Sequence, residues 1–220
     1  MARATRLQVV AAAAALVLFA GCGGGSKQAA TTTGTSPPPQ AQPGAAGACP
    51  VTGKQVRIPA LDPKKTYTVT TRTNVGVFAF RLDVKDSPCT TASFAALVRR
   101  KFFDGTRFHR IVPGFVIQGG DPTGTGTGGP GYTVVDAPPA NARYTRGVVA
   151  MAKTGAEPAG TSGSQFFVVT GADVGLPPEY ALLGKVTRGL GVVGRIAKLG
   201  DPATEQPTRR VVIRSMTIAP

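Results

Sequence analysis

The chain has 220 residues, 25 Lys and Arg against 11 Asp and Glu for a formal net charge of +14, 42% hydrophobic residues, three Cys and one His. That length holds one domain with appendages, and the apolar fraction excludes a wholly disordered chain. Three cysteines are too few for a disulfide-built miniprotein or a four-cysteine zinc module, and a single histidine excludes any multi-histidine metal site.

Residues 1–21 read as a signal peptide outside the fold. Arg3 and Arg6 make a positive start, and the apolar run Val9 to Ala20 follows. As a helix that run spans about 18 Å, short of the ~30 Å hydrocarbon core of a bilayer. A basic start, a short apolar stretch and small residues before the cut describe a secretory signal. Leu18-Phe19-Ala20-Gly21-Cys22 resembles the bacterial lipobox, with Phe19 where Leu is commoner. That resemblance implies acylation of Cys22 and a lipid anchor in the cell membrane on its extracytoplasmic face. Ordinary signal cleavage beside an incidental cysteine is the second reading. Arg3 and Arg6 are not adjacent, so a twin-arginine export signal is not supported.

From Gly23 to Gly47 the residues are Gly, Ser, Thr, Ala, Gln and Pro with one Lys27. No large apolar side chain offsets the entropy of ordering, so residues 22–48 read as a lipid-anchored flexible linker, stiffened around Pro37-Pro38-Pro39. The remainder, 49–220, holds the folded domain, with a core over about 66–218. Cys49 and Cys89 are the cysteines left once Cys22 is acylated. In an oxidising compartment they form a disulfide; otherwise they are two separate thiols, Cys89 being a small buried residue at a helix start.

Strand patterns dominate the domain. Thr66 to Thr71 and Val75 to Leu82 are β-branched and aromatic runs around Asn74, which predicts a hairpin. Ser87-Pro88 opens a helix carrying Ala92, Phe94, Ala95, Leu97 and Val98 at helical spacing, with Arg99, Arg100 and Lys101 at its C-terminal end. Asp104-Gly105 is a turn. Phe108 to Val112 and Phe115 to Gln118 are strands joined by Pro113-Gly114. Gly147 to Met151, Phe166 to Thr170, Tyr180 to Val186 and Arg210 to Ile218 are further strands, with a short helix over Leu190 to Ala197. Eight strands and two helices without βαβ alternation predict a mainly β fold, a closed eight-stranded antiparallel β-barrel capped by two α-helices.

Several chemistries fall away. Gly124-Thr125-Gly126-Thr127-Gly128-Gly129 has no following helix and no Lys-Ser/Thr pair, so it is a surface loop and not a nucleotide loop. His109, Asp121 and Ser164 have no Gly-x-Ser-x-Gly elbow, and strand alternation sets His109 on the face opposite Arg110, against a hydrolase triad. Nucleic acid is suggested by charge alone; an export signal and the lack of aromatic-basic interleaving set it aside.

The dense stretch Phe102 to Asp121 contains Phe108-His109-Arg110-Ile111, Pro113-Gly114-Phe115 and Gln118-Gly119-Gly120-Asp121. It closely resembles the signature of the cyclophilin family of peptidyl-prolyl cis-trans isomerases. Gly147 to Ala152, Gly163 to Phe167 and Gly184-Lys185-Val186 agree with it, and the resemblance runs from about Tyr67 to Ile218. It implies a cyclophilin-like isomerase with no cofactor and no metal, acting as a monomer on proline-containing polypeptides and assisting the folding of exported chains. Arg110 matches the catalytic arginine. Phe115, Val116, Phe167 and Leu176 match the proline pocket, though without the resemblance they would pass as core residues. Gln118 and Gln165 match polar groups that orient Arg110 or bind substrate backbone. Ala152 and Lys153 match a stretch that pairs with the substrate main chain, and His109 a flanking contact.

Two departures stand out. Gly175 occupies the position of the family's common Trp, and Tyr180 stands where His is often found, which puts sensitivity to the family's cyclic-peptide inhibitor in question. A proline-segment-binding chaperone or scaffold with little turnover is the alternative function; the presence of Arg110 argues against it, because a pure binder has little need of that residue.

Overall fold

The computed structural model describes residues 49–220. The signal peptide, the lipobox with Cys22 and the linker to residue 48 lie outside the described residues. In chain order the domain forms β1 (Thr52–Gly53), β2 (Thr68–Thr73), β3 (Val77–Leu82), α1 (Pro88–Arg99), β4 (Arg107–Val112), β5 (Val116–Asp121) and β6 (Tyr132–Val135). It continues with β7 (Val148–Met151), β8 (Thr161–Ser162), β9 (Phe166–Val169), β10 (Leu182–Arg188), α2 (Leu190–Ala197) and β11 (Ile213–Ala219).

The eight strands expected from the sequence are the eight of one antiparallel sheet, in the order β11-β2-β3-β10-β7-β9-β5-β4. The expected closure does not form. The outer strands β4 and β11 are not paired along their length; Arg107 at the start of β4 bridges Val212, the residue before β11. Farther along β4, the backbone N–H of Ile111 is taken by the carbonyl of Glu205, from the loop that precedes β11. A loop covers that edge in place of a strand, so the sheet is an open, curled half-barrel. A second sheet, β1-β6-β8, was not expected. β1 and β8 have two residues each, too few to carry a period, whereas in Tyr132-Thr133-Val134-Val135 buried Tyr132 and Val134 alternate with half-buried Thr133 and exposed Val135, a period-two pattern that sequence reasoning passed over.

Helix α1 starts with Ser87 at the N-cap and Pro88 in the first turn, where a missing N–H costs nothing. Nine consecutive residues, Thr90 to Val98, are buried, so the helix lies between the two sheets instead of on the surface. Its apolar side supplies Phe94, stacked on Phe103 at 4.7 Å and edge-on to Phe80 and Phe166. Its polar side meets the small sheet: Thr90 Oγ1 lies 3.1 Å from Ser162 Oγ, and Ser93 Oγ 3.1 Å from the Tyr132 hydroxyl. These buried hydroxyls satisfy one another, as burial requires. Cys49 and Cys89 are joined by a disulfide, Cα to Cα 5.3 Å, which ties the start of the domain to the first turn of α1. Helix α2 begins at Gly189, whose φ of 76° suits glycine and where a Cβ would collide with the Val77 carbonyl.

Alternation sorts the large sheet into two faces. Ile117, Val149, Met151, Phe166 and Val168 point into the main core with α1, Phe78, Phe80 and Phe108. Their neighbours Val116, Val148, Ala150, Phe167 and Val169 form a second apolar cluster with Tyr144 on the other side. The candidate site residues lie on this second face.

Candidate active site

Register brings the site residues together. Arg110 of β4 lies opposite Gln118 of β5, Gln118 opposite Phe167 of β9, Phe167 opposite Ala150 of β7, and Ala150 opposite Leu182 of β10. One row across five strands therefore places an arginine, a glutamine, an aromatic ring and two aliphatic groups in a line. Arg110 and Phe167 are two strands apart, about 10 Å.

The row depends on a β-bulge. Phe108 pairs with Gly119 and Arg110 with Gln118, leaving His109 as an extra residue on β4. Phe108 and Ile111 both enter the core, and the two residues between them are half-buried outside it. The expectation that His109 and Arg110 take opposite faces is corrected here: alternation fails at the bulge, so neither side chain is sent inward.

Arg110 is held from three sides. Its Nη1 donates to Gln118 Oε1 at 3.5 Å, its guanidinium carbon lies 5.8 Å from the centre of the Phe115 ring, and its Nε donates to Glu205 Oε2 at 2.6 Å. That hydrogen bond lowers the pKa of the Glu205 carboxyl. Gln118 Nε2 donates to Gln165 Oε1 at 3.1 Å, and Gln165 Nε2 donates to the carbonyls of Gly126 and Gly128 at 2.8 and 2.9 Å. These acceptors orient both amides, so the two glutamines form a chain from the glycine loop to the arginine.

The glycine loop is in turn fixed by buried Asp121. Its carboxylate accepts hydrogen bonds from the Thr123 hydroxyl and from the backbone N–H groups of Thr123, Gly126 and Gly128. Burial pushes its pKa up, but these donors outweigh burial and hold it far below the ordinary carboxylate range. Gly120, with φ 87°, is needed just before it, because a Cβ there would strike the Ser164 carbonyl.

The apolar half of the site is Val116, Phe167, Ala150 and Tyr144, with Phe115, Ala152, Leu176, Tyr180 and Leu182 packed at its rim. Phe167 and Tyr180 meet edge to face at 5.5 Å. Tyr144, wholly buried beneath them, donates its hydroxyl hydrogen to the Tyr180 carbonyl and accepts the Tyr180 N–H. Burial pushes the Tyr144 phenol up to about 12, so it stays a neutral donor. Sequence reasoning missed Tyr144 and Glu205. Each sits in an irregular segment, with no periodicity to mark it.

The chain matches the cyclophilin type peptidyl-prolyl cis-trans isomerase/CLD family over residues 67–218. It belongs to the cyclophilin family. It is 37% identical over 175 residues to peptidyl-prolyl cis-trans isomerase A of Mycobacterium tuberculosis, covering 71% of this chain and 94% of that protein. It is 39% identical over 155 residues to a peptidyl-prolyl cis-trans isomerase of Helicobacter pylori, covering 64% and 93%. Among solved structures, a cyclophilin type peptidyl-prolyl cis-trans isomerase of Cryptosporidium parvum superposes with a TM-score of 0.64 at 30% identity, covering 71% of this chain and 99% of that one. A structure of the same protein in the presence of the dipeptide Ala-Pro gives 0.63 at 30% identity, covering 70% and 99%. The fold is thus the mainly β cyclophilin fold with two helices, and the chain is a peptidyl-prolyl cis-trans isomerase.

In this cyclophilin the structure adds detail at three of the expected positions. Lys153 is buried, its side chain 3% exposed; its Nζ donates to the carbonyls of Thr154 and Glu157, pairs with Glu179 at 3.1 Å, and lies 5.6 Å from the Tyr180 ring centre. It clamps a loop and supports Tyr180. The Ala152 N–H is already taken by the Gln165 carbonyl at 2.9 Å. His109 lies against Gly126, both ring nitrogens buried and without hydrogen-bond partners among the described residues. Burial lowers its pKa, opposed by Asp121 and reinforced by Arg107 and Arg110.

Because the folded Asp121 carboxyl has a lowered pKa, its stabilisation is present above the unfolded value near 3.8 and is lost as pH falls toward the folded value. Asp121→Asn is expected to lower the unfolding free energy at pH 7 by about 1–3 kcal/mol. The gap between variant and wild type should narrow at pH 3, measured by urea titration at both values. An equal gap at both would show that the carboxylate charge is not what holds the loop.

Proposed function

We propose that this isomerase accelerates X-Pro rotation in exported polypeptides, assisting their folding at the outer face of a membrane. In this reading Arg110 is its catalytic residue, and Phe115, Val116, Phe167, Leu176 and Tyr180 seat the prolyl ring. The observation that carries the reading is the cross-strand row, which sets a fixed guanidinium about two strand spacings from an aromatic floor. The Ala-Pro dipeptide named with a similar structure supports proline-containing peptides as the substrate class.

The chemistry follows from the barrier. Amide resonance makes X-Pro rotation cost about 18–20 kcal/mol. In the twisted transition state that resonance is lost, and the prolyl nitrogen becomes pyramidal with a localised lone pair. Arg110 donates to that lone pair, which neither planar ground state offers, so the interaction stabilises the transition state selectively. No bond is made or broken and no proton need leave, which suits an arginine that stays charged at every relevant pH. The apolar rim holds the ring while the preceding carbonyl swings. Gln118 and Gln165 supply amide groups along the groove for the substrate backbone, and Gln118 also braces Arg110.

The site of action rests on the basic start, the short apolar run and the lipobox-like Leu18 to Cys22, followed by the polar linker. Once residues 1–21 are removed, 23 basic and 11 acidic residues remain, an excess suited to resting near anionic headgroups.

Arg110→Ala is expected to reduce kcat/KM for a short X-Pro peptide by about 10²–10³-fold, the usual cost of deleting one transition-state donor, with the unfolding midpoint unchanged. Wild-type rates in that variant would refute the catalytic role, and peptide binding by wild type without rate enhancement would favour a chaperone. Separately, the full chain is expected to incorporate labelled fatty acid and to fractionate with membranes, and Cys22→Ser to do neither. Membrane retention of Cys22→Ser without label would refute the lipid anchor.

A further inference from the structure

Glu205 lies 95 residues beyond Arg110 in sequence, in the loop between α2 and β11, yet its carboxylate grips the Nε edge of that guanidinium. The loop is built to deliver it. The Glu205 carbonyl accepts the N–H of Ile111, the residue after Arg110, and the Glu205 N–H donates to the Asp201 carbonyl, both at 2.8 Å. Asp201 N–H donates to the Gln206 carbonyl at 2.9 Å, and the Asp201 carboxylate accepts the Ala203 N–H at 2.8 Å. Gly200 and Pro207 form a bridge that closes the base of the loop.

Within this loop Glu205 has φ 58°, the left-handed region that a non-glycine residue adopts at a cost. Stability does not account for that choice. The two side chains are 35% and 46% exposed, and an ion pair so open to solvent contributes little, less than the backbone conformation costs. The contact matters through geometry. Glu205 engages Nε and Gln118 engages Nη1, so two partners on different edges of a planar group fix its rotation and leave Nη2 as the edge turned to neither.

We propose that Glu205 is a positioning residue for isomerisation, locking the guanidinium plane of Arg110 across the proline groove. This rests on the reading of Arg110 as the catalytic residue. Orientation is worth much to catalysis, and loose orientation costs rate without costing ground-state binding. Glu205 itself touches no reacting atom.

The test uses the full chain and a short X-Pro peptide. Glu205→Gly removes the carboxylate and suits the left-handed backbone, so the variant should unfold at the same denaturant concentration as wild type or higher. Its kcat should fall about tenfold with KM changed less than twofold, the signature of lost orientation. Glu205→Gln, which keeps an oxygen acceptor for Nε, should recover most of that loss. Glu205→Gly added to Arg110→Ala should change nothing further. If Arg110→Ala is inactive while Glu205→Gly turns over at the wild-type rate, Glu205 does not position the arginine and the proposal fails. If Arg110→Ala itself matches wild type, the fault lies in the catalytic reading of Arg110. A loss of stability in Glu205→Gly that tracks its loss of rate would make Glu205 a structural residue and overturn the proposal.

Discussion

The site depends on the register of five antiparallel strands. β4, β5, β9, β7 and β10 align Arg110, Gln118, Phe167, Ala150 and Leu182 in one row on the face away from the main core. A slip of one residue at a pairing would exchange inward and outward side chains and send core residues such as Phe166 or Ile117 to the outer face. The register is therefore held by the same burial that stabilises the domain. Phe166 and Ile117, both fully buried, fix the inward positions, and Phe167 and Gln118 take the outward ones as a consequence. The geometry of the proposed catalytic row is inherited from core packing. The bulge at His109 is where that inheritance is broken next to the arginine.

Around this row the polar groups form a single connected support. Asp121 gathers the backbone of the glycine loop, that loop presents two carbonyls to Gln165, Gln165 orients Gln118, and Gln118 meets Arg110. Glu205 closes the other side. Each link is a modest hydrogen bond, and its value lies in restricting one rotation of the next group. The apolar side has a parallel support, in which Tyr144 and Lys153 hold Tyr180 from below and beside it. A proline ring is small and rigid, so a site that recognises it must itself be rigid.

Much of this was legible in the sequence because it rests on local patterns. The eight strands of the large sheet and both helices follow from β-branched runs, Ser87-Pro88 and helical spacing. Val116 and Gln118 could be set on one face by period two alone. The open edge was not legible, because it is decided by a loop, 200–207, whose side-chain hydrogen bond from Arg110 of β4 spans 95 residues. Glu205 was invisible for the same reason: Asp104 and Asp121 were the acids near Arg110 in sequence, and the true partner comes from the far end of the chain. The bulge had left a trace. Strict alternation would put Arg110 on the same face as Phe108, an unpaired cation beside a core aromatic, and that conflict signals a break in the period.

The central claim is that Arg110 acts on the twisted amide and not on binding. Exchange spectroscopy by NMR on a proline peptide saturating the enzyme measures both at once, since it reports interconversion of the bound cis and trans isomers and their separate affinities. For Arg110→Ala the account predicts bound interconversion slowed about a hundredfold or more, with the affinity of each isomer within about twofold of wild type. Unchanged bound interconversion with weakened affinity for both isomers would contradict it, and would make Arg110 a binding group.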